Sequence, residues 1–134
     1  MTEDYKSKFN ILVTDDSPLA CDLITQILDK ENYNVIGHAN SAEEAYIKAQ
    51  TENIHLHVID VVMPNVSGID LARSLNEMPH PKCLLMISSL DSEGILIEAI
   101  STGANDFLRK PFKAEDLISS VDKLLKYTIK EILF

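Results

Sequence analysis

The sequence predicts an α/β fold in which five parallel strands alternate with five helices, (βα)5, and the helices cover both faces of the sheet. Two observations carry this. Short apolar runs rich in Val and Ile recur five times along the chain, as strands buried on both faces require. Between them lie stretches whose apolar residues fall at helical spacing. Such alternation implies a parallel sheet with right-handed crossovers.

The first strand is expected at 10–14, "NILVT". A helix follows from Ser17-Pro18, an N-cap with proline in the first turn. Along it recur Leu19, Ala20, Leu23, Ile24, Ile27 and Leu28. The second strand is expected at 34–38, and the second helix opens on "SAEE", a capping box from Ser41 to Glu44. The third strand is expected at 56–59. The third helix runs from about 68 to 78 and stops before Pro79, because proline disfavours helix at the residue before it. The fourth strand is expected at 83–88. The fourth helix carries Ile95, Leu96, Ala99 and Ile100, with Gly103 placed at C′. The fifth strand is expected at 106–109 and the fifth helix starts near Ala114. Its later part sets Val121, Leu125, Thr128 and Ile132 at 4-3-4 spacing. The segment 129–134 is apolar beyond what a core needs. Self-association, a partner contact or a last turn folded onto the domain would each account for it.

At 134 residues the chain is expected to form one domain, 1–134, with a core of about 9–127 and a helical extension at 128–134. Hydrophobic residues make up 46%, enough for a globular core. No apolar run approaches the ~20 residues that a membrane span needs. The opening "MTEDYKSKFN" has no apolar segment of a secretory leader. Cys21 and Cys83 lack metal or redox spacing and read as buried thiols of a cytoplasmic protein. A net charge of −9 argues against direct nucleic-acid binding through a general field.

Function is expected beyond the carboxyl ends of the strands, where open α/β sheets place their sites. Strand one ends in Asp15 and Asp16, strand three in Asp60, strand four in Ser88 and Ser89, strand five in Lys110. Adjacent carboxylates about 4 Å apart repel by roughly 4 kcal/mol at an effective dielectric near 20. Two or three of them offer hard oxygen ligands to Mg²⁺, which would offset that repulsion and leave coordination positions for phosphate. A carboxylate can act as nucleophile in phosphoryl transfer. A metal and a lysine flanking the transferred group stabilise its charge.

The acidic pair, "DVVMPNVSG", the small hydroxyl residue after strand four, "GANDF" and "KPF" occur in this order. Together they resemble the response-regulator receiver domain of two-component signalling, over about 9–127. The resemblance implies a flavodoxin-like fold with strand order 2-1-3-4-5. It implies that Asp60 accepts the phosphoryl group, that Asp16 binds Mg²⁺ directly and Asp15 through water, and that the Val62 carbonyl is a further ligand. Ser88 would bond a phosphoryl oxygen with help from the Ser89 amide. Lys110 would pair with the phosphate or, without it, with Asp60. Phe107 would be the aromatic switch residue that follows Ser88, and Lys110–Pro111 a cis bond. The donor would be a sensor histidine kinase or a phosphotransfer protein. The target would bind the surface of helix four, strand five and helix five. The domain would be a signalling module that catalyses its own phosphorylation and dephosphorylation rather than an enzyme. It would be a monomer or a weak phosphorylation-dependent dimer. "MISSLDSEG…GANDFLRKPF" resembles stand-alone chemotaxis receivers most; a phosphorelay intermediate or a receiver from a longer regulator are the alternatives.

Ser88 stands where the family more often has threonine, so its rotamers are less restricted. Val62 and Leu90 are apolar where the family flanks the hydrolysing water, which implies slow self-dephosphorylation. A Mg²⁺-dependent phosphatase with an aspartyl nucleophile is the second reading, but Asp60 is followed by Val61 and Val62 instead of a second acid. A mononucleotide binder is the third, and "TDDSPLA" offers it negative charge where phosphate would bind. His55 and His57 alternate in "HLHVID" and could share a face of strand three as metal ligands. No third ligand is evident, and buried or boundary roles are the simpler reading. His38 and His80 read as loop or boundary residues.

Overall fold

The computed structural model describes residues 5–90 and 93–132, with side chains as far as 129. Strands β1 (Asn10–Thr14), β2 (Asn34–Ala39), β3 (Leu56–Asp60), β4 (Cys83–Ser88) and β5 (Asp106–Arg109) alternate with helices α1 (Pro18–Lys30), α2 (Ala42–Thr51), α3 (Gly68–Asn76), α4 (Glu93–Ser101) and α5 (Ala114–Ile132). The strands form one sheet in the order β2-β1-β3-β4-β5. Every pairing is parallel. This is the expected flavodoxin-like arrangement.

The strand sequences are apolar on successive residues because each face of the sheet carries its own core. Ile11 and Val13 of β1, Leu56 and Val58 of β3, and Cys83, Leu85 and Ile87 of β4 pack with α1 and α5. Their neighbours Leu12, Ile59, Leu84 and Met86 pack with α2, α3 and α4. β3 and β4 are buried at every residue. Asp60 and Ser88 are the last residues of these two fully buried strands.

The helix starts follow local chemistry. Ser17 accepts from the Ala20 amide, Ser41 from Glu44 and Ser67 from Asp70, each satisfying an orphan donor of the first turn. Glu44 reaches back to the Asn40 amide at 3.2 Å, one residue earlier than a simple capping box would place it. Gly103 closes α4 in the left-handed region at φ 100°. The Gly103 amide bonds Ile100 and the Ala104 amide bonds Ala99, a Schellman cap. Asn32, at φ 66°, closes α1 the same way.

Some boundaries differ from expectation. β2 extends to Ala39, whose carbonyl accepts from Asp15, and β3 extends to Asp60. α3 ends at Asn76 instead of 78: the Glu77 and Met78 amides both turn back onto Leu75, and Lys82 Nζ caps the Met78 carbonyl at 3.0 Å. Only Cys21, Ile24 and Leu28 of α1 are buried. Leu19 and Leu23, counted in its apolar stripe, are 68% and 52% exposed. Of the apolar end at 129–134, Ile129 packs against the core; the side chains beyond it lie outside the described residues. No described helix is long and apolar enough to cross a membrane.

Candidate functional site

The carboxyl ends of β1, β3 and β5 bring Asp15, Asp16, Asp60 and Lys110 together. Each of the three acids offers a carboxylate oxygen, and these oxygens lie within 4.8 Å of one another. Backbone bonds fix the approach. The Asp15 amide donates to Ala39 (3.0 Å), the Val61 amide to Ile87 (2.8 Å) and the Lys110 amide to Ser88 (2.9 Å). The strand ends are therefore held in register one residue beyond the sheet.

The neighbouring acids are resolved by sending them in different directions. Asp15 is buried and Asp16 is exposed. Asp15 Oδ1 accepts the Ser17 amide at 2.9 Å, and Oδ2 accepts Lys110 Nζ at 3.2 Å. Lys110 Nζ also lies 3.6 Å from Asp60 Oδ1. One ammonium thus bridges two buried carboxylates, where Asp60 alone was the expected partner. Asp15 is nearer because its carboxylate is pinned by the α1 cap and faces the lysine.

One ammonium does not balance three acids. Burial and the Asp15 charge push the Asp60 carboxyl up to about 6, against the pull of Lys110. Burial would lower the Lys110 ammonium, but Asp60 and Asp15 overcome it and raise its pKa. The excess negative charge, the hard oxygen donors and the exposed side of Asp16 fit a divalent cation with bound water. The cluster can hold a metal ion. Among the described residues it is the one such group of three or more acids, histidines or cysteines.

Ser88 is fully buried and its Oγ accepts the Leu90 amide at 3.0 Å. A hydroxyl so held keeps its own proton to donate. Ser89 is exposed, Val62 is 49% exposed and Leu90 42%. Phe107 is half-buried against the core on the α2, α3 and α4 side. Asp106, beside it, is clamped by Ser120 Oγ (2.5 Å) and Lys123 Nζ (2.9 Å). Burial would raise the Asp106 carboxyl, but Ser120, Lys123 and the Phe107 amide hold it below its ordinary value. The Lys110–Pro111 bond is cis.

The family model for the response regulator receiver domain matches residues 11–122. The chain belongs to that family. The receiver domain is 29% identical to the chemotaxis protein CheY of Bacillus subtilis over 86% of this chain and 96% of that one. With CheY of Thermotoga maritima it shares 28% over 87% and 97%. Among solved structures it resembles the CheX–CheY–BeF3–Mg complex from Borrelia burgdorferi (31% identity, 87% of this chain and 89% of that one, TM-score 0.83). It also resembles a CheY-like receiver domain protein from Methanospirillum hungatei (25%, 91% and 97%, TM-score 0.84). Of a response regulator/GGDEF domain protein at 31% identity and TM-score 0.84, the chain spans 52%.

The receiver's histidines lie away from this cluster. His55 precedes β3; its Nδ1 accepts the Asn10 amide at 2.9 Å, its Nε2 meets Asn53, and its ring stacks on Phe9. His57 is fully buried, and neither ring nitrogen has a partner among the protein atoms. Burial, with Lys82 and His80 nearby, pushes its pKa down to about 3. His38 is a boundary residue whose Nε2 meets Thr25 Oγ1 at 2.6 Å.

Sequence reasoning missed three residues around the acids. The Ser17 amide holds Asp15, although Ser17 was noticed as a cap. Asn40 Nδ2 donates to the Asp15 carbonyl at 3.0 Å. Gly68, noticed as a helix start, touches the Asp60 backbone. The sequence marks each as an ordinary turn or cap residue.

Proposed function

We propose that this receiver domain accepts a phosphoryl group on Asp60 and signals by protein contact. The observation that carries the reading is Lys110 Nζ between two buried carboxylates, 3.2 Å from Asp15 and 3.6 Å from Asp60, at the mouth of a three-acid cluster. An Asp60 oxygen attacks the phosphorus of a phosphohistidine on a sensor kinase or phosphotransfer protein. The P–O bond forms as the P–N bond breaks, and the departing imidazole recovers a proton. Asp16, Asp60 and the Val62 carbonyl would hold Mg²⁺, with Asp15 acting through water because both its oxygens are already engaged. When bound, Mg²⁺ supplies the cationic charge that phosphoryl oxygens need. Lys110 moves from Asp15 toward the phosphoryl group. Ser88 donates its proton to a phosphoryl oxygen while still accepting from Leu90, and the Ser89 amide adds a second donor. Phe107 follows Ser88 and biases a two-state equilibrium.

Two surfaces support partner contact. α1 presents Leu19 and Leu23 to solvent. A groove of ≈ 420 Å³ lined by Leu23, Ile24, Ile27, Lys110, Pro111 and Phe112 opens beside Lys110, where a phosphodonor would sit within reach of Asp60. On the far side, Ile97, Ile100 and Tyr127 are 63%, 58% and 70% exposed, flanking the α4–β5–α5 surface that a target would read. The CheY relatives, matched over nearly their whole length, favour a chemotaxis target.

The test is intact mass after incubation with acetyl phosphate or phosphoramidate, with and without Mg²⁺. One phosphoryl mass that needs Mg²⁺ and disappears in Asp60→Asn supports the reading. Folded protein with no adduct in the presence of Mg²⁺ overturns it.

A further inference from the structure

Two residues that carry no charge are packed directly against the backbone of the acid cluster. Gly68 is the first residue of α3, and its amide donates to the Val61 carbonyl at 2.9 Å. That bond closes a loop containing Val62, with Met63 buried beneath it and Asn65 turned into the left-handed region at φ 68°. A Cβ at Gly68 would lie 2.2 Å from the Asp60 carbonyl oxygen and 2.9 Å from both the Asp60 carbonyl carbon and Ile59 Cγ2. The first of these falls 0.8 Å short of the 3.0 Å that real Cβ atoms keep. Two of the three obstacles are backbone of the acceptor residue itself, so relief requires Asp60 or the start of α3 to move. Gly68 φ is in the ordinary negative range. What position 68 demands is space, not conformational freedom.

Asn40 does the corresponding work on the other side. Its side-chain amide donates to the Asp15 carbonyl at 3.0 Å, from the turn that joins β2 to α2. Its own amide is held by Glu44. The Asp15–Asp16 peptide is thereby tied to a second element besides β1. Asp15 Oδ1 then receives the Ser17 amide, so the orientation of the acidic pair depends on where that peptide sits.

We propose that Gly68 and Asn40 are positioning residues of the cation site. Gly68 sets the depth of the Asp60–Val62 arm, and Asn40 sets the orientation of the Asp15–Asp16 arm. The proposal rests on the phosphoacceptor reading for its purpose, but its geometry is independent of it. Groups that orient metal ligands typically change metal affinity about 10–100-fold when removed, and a displacement of about 1 Å costs a reacting centre about 100-fold.

The experiment compares the full chain with Gly68→Ala, Asn40→Ala and Ile69→Val. Ile69 is a buried neighbour in the same helical turn, 4% exposed, and Ile→Val removes one buried carbon there without adding an atom. Calorimetric titration with Mg²⁺ should show affinity at least about 10-fold weaker for Gly68→Ala and for Asn40→Ala, and within about 2-fold of wild type for Ile69→Val. Hydrogen exchange in metal-free protein provides the second readout. The amide at 68 should exchange faster in Gly68→Ala, and the Ser17 amide in Asn40→Ala, while core amides of β3 and β4 keep their protection. Folded variants that bind Mg²⁺ like the wild type, or an Ile69→Val loss as large as theirs, overturn the proposal. If Gly68→Ala does not fold, Asn40→Ala decides alone. Wild-type protein that binds no Mg²⁺ defeats the phosphoacceptor reading instead, and the local exchange rates still decide the positioning role.

Discussion

His57 gives the domain a pH dependence that can be calculated and isolated. It sits in the middle of the sheet between Leu12 and Leu84, fully buried, with both ring nitrogens unpartnered by protein. Its folded pKa is pushed to about 3 from an ordinary 6.5 by burial, with Lys82 and His80 adding to it. Below pH 6.5 the unfolded chain takes up a proton at this residue and the folded chain does not. Stability contributed by neutral His57 is therefore complete above pH 6.5 and is lost as pH falls toward 3. The slope is about 1.4 kcal/mol per pH unit in that window, so moving from pH 7.5 to 5 costs about 2 kcal/mol. The perturbation is His57→Leu, which removes the titration and the two unpartnered nitrogens together. Urea melts at pH 7.5 and pH 5 should show the wild type losing about 2 kcal/mol more than the variant. At pH 7.5 the variant should be at least as stable, since an unpartnered buried polar group costs about 1–3 kcal/mol. His55, His80 and Lys82 titrate in both proteins and cancel in the difference. Parallel stability curves for the two proteins would refute the argument, because they would mean that His57 binds its proton equally in both states.

The remaining predictions concern the site and one turn. Asp60 has a raised folded pKa, so its ionisation opposes folding as pH rises from about 4 to 6; Asp60→Asn should be more stable than wild type at pH 7.5, with the gap closing below pH 4 in thermal melts. Val62→Asn and Leu90→Glu place polar groups where exposed apolar ones now stand, and each should shorten the lifetime of the phosphoryl adduct severalfold when mass is followed after donor removal; unchanged lifetimes would remove the water-positioning argument. Gly103→Ala forces a side chain into φ 100° and into the space filled by Asn76, which bonds the Thr102 carbonyl. It should cost about 1–3 kcal/mol in denaturant melts.

Fold class and strand positions were legible because a parallel sheet buries both faces of its strands, and continuous apolar runs announce that locally. The Ser17 and Ser41 caps were equally local, since each satisfies an amide three residues away. Asp15, Asp16, Asp60 and Lys110 were visible as polar residues at strand ends, and topology alone brings such ends to one edge. Other features needed the assembled molecule. Which oxygen Lys110 approaches depends on the β1–β3 register and on the cap that pins Asp15. The exposure of Leu19 and Leu23 depends on how much of α1 the sheet can cover. Gly68 and Asn40 act through contacts with backbone atoms far from them in the chain or on another element, and backbone atoms have no letter in a sequence. The residue types at the strand ends thus specified the chemistry, while distances, burial and the spaces left between elements were set by tertiary packing, because they are properties of pairs that no single segment contains.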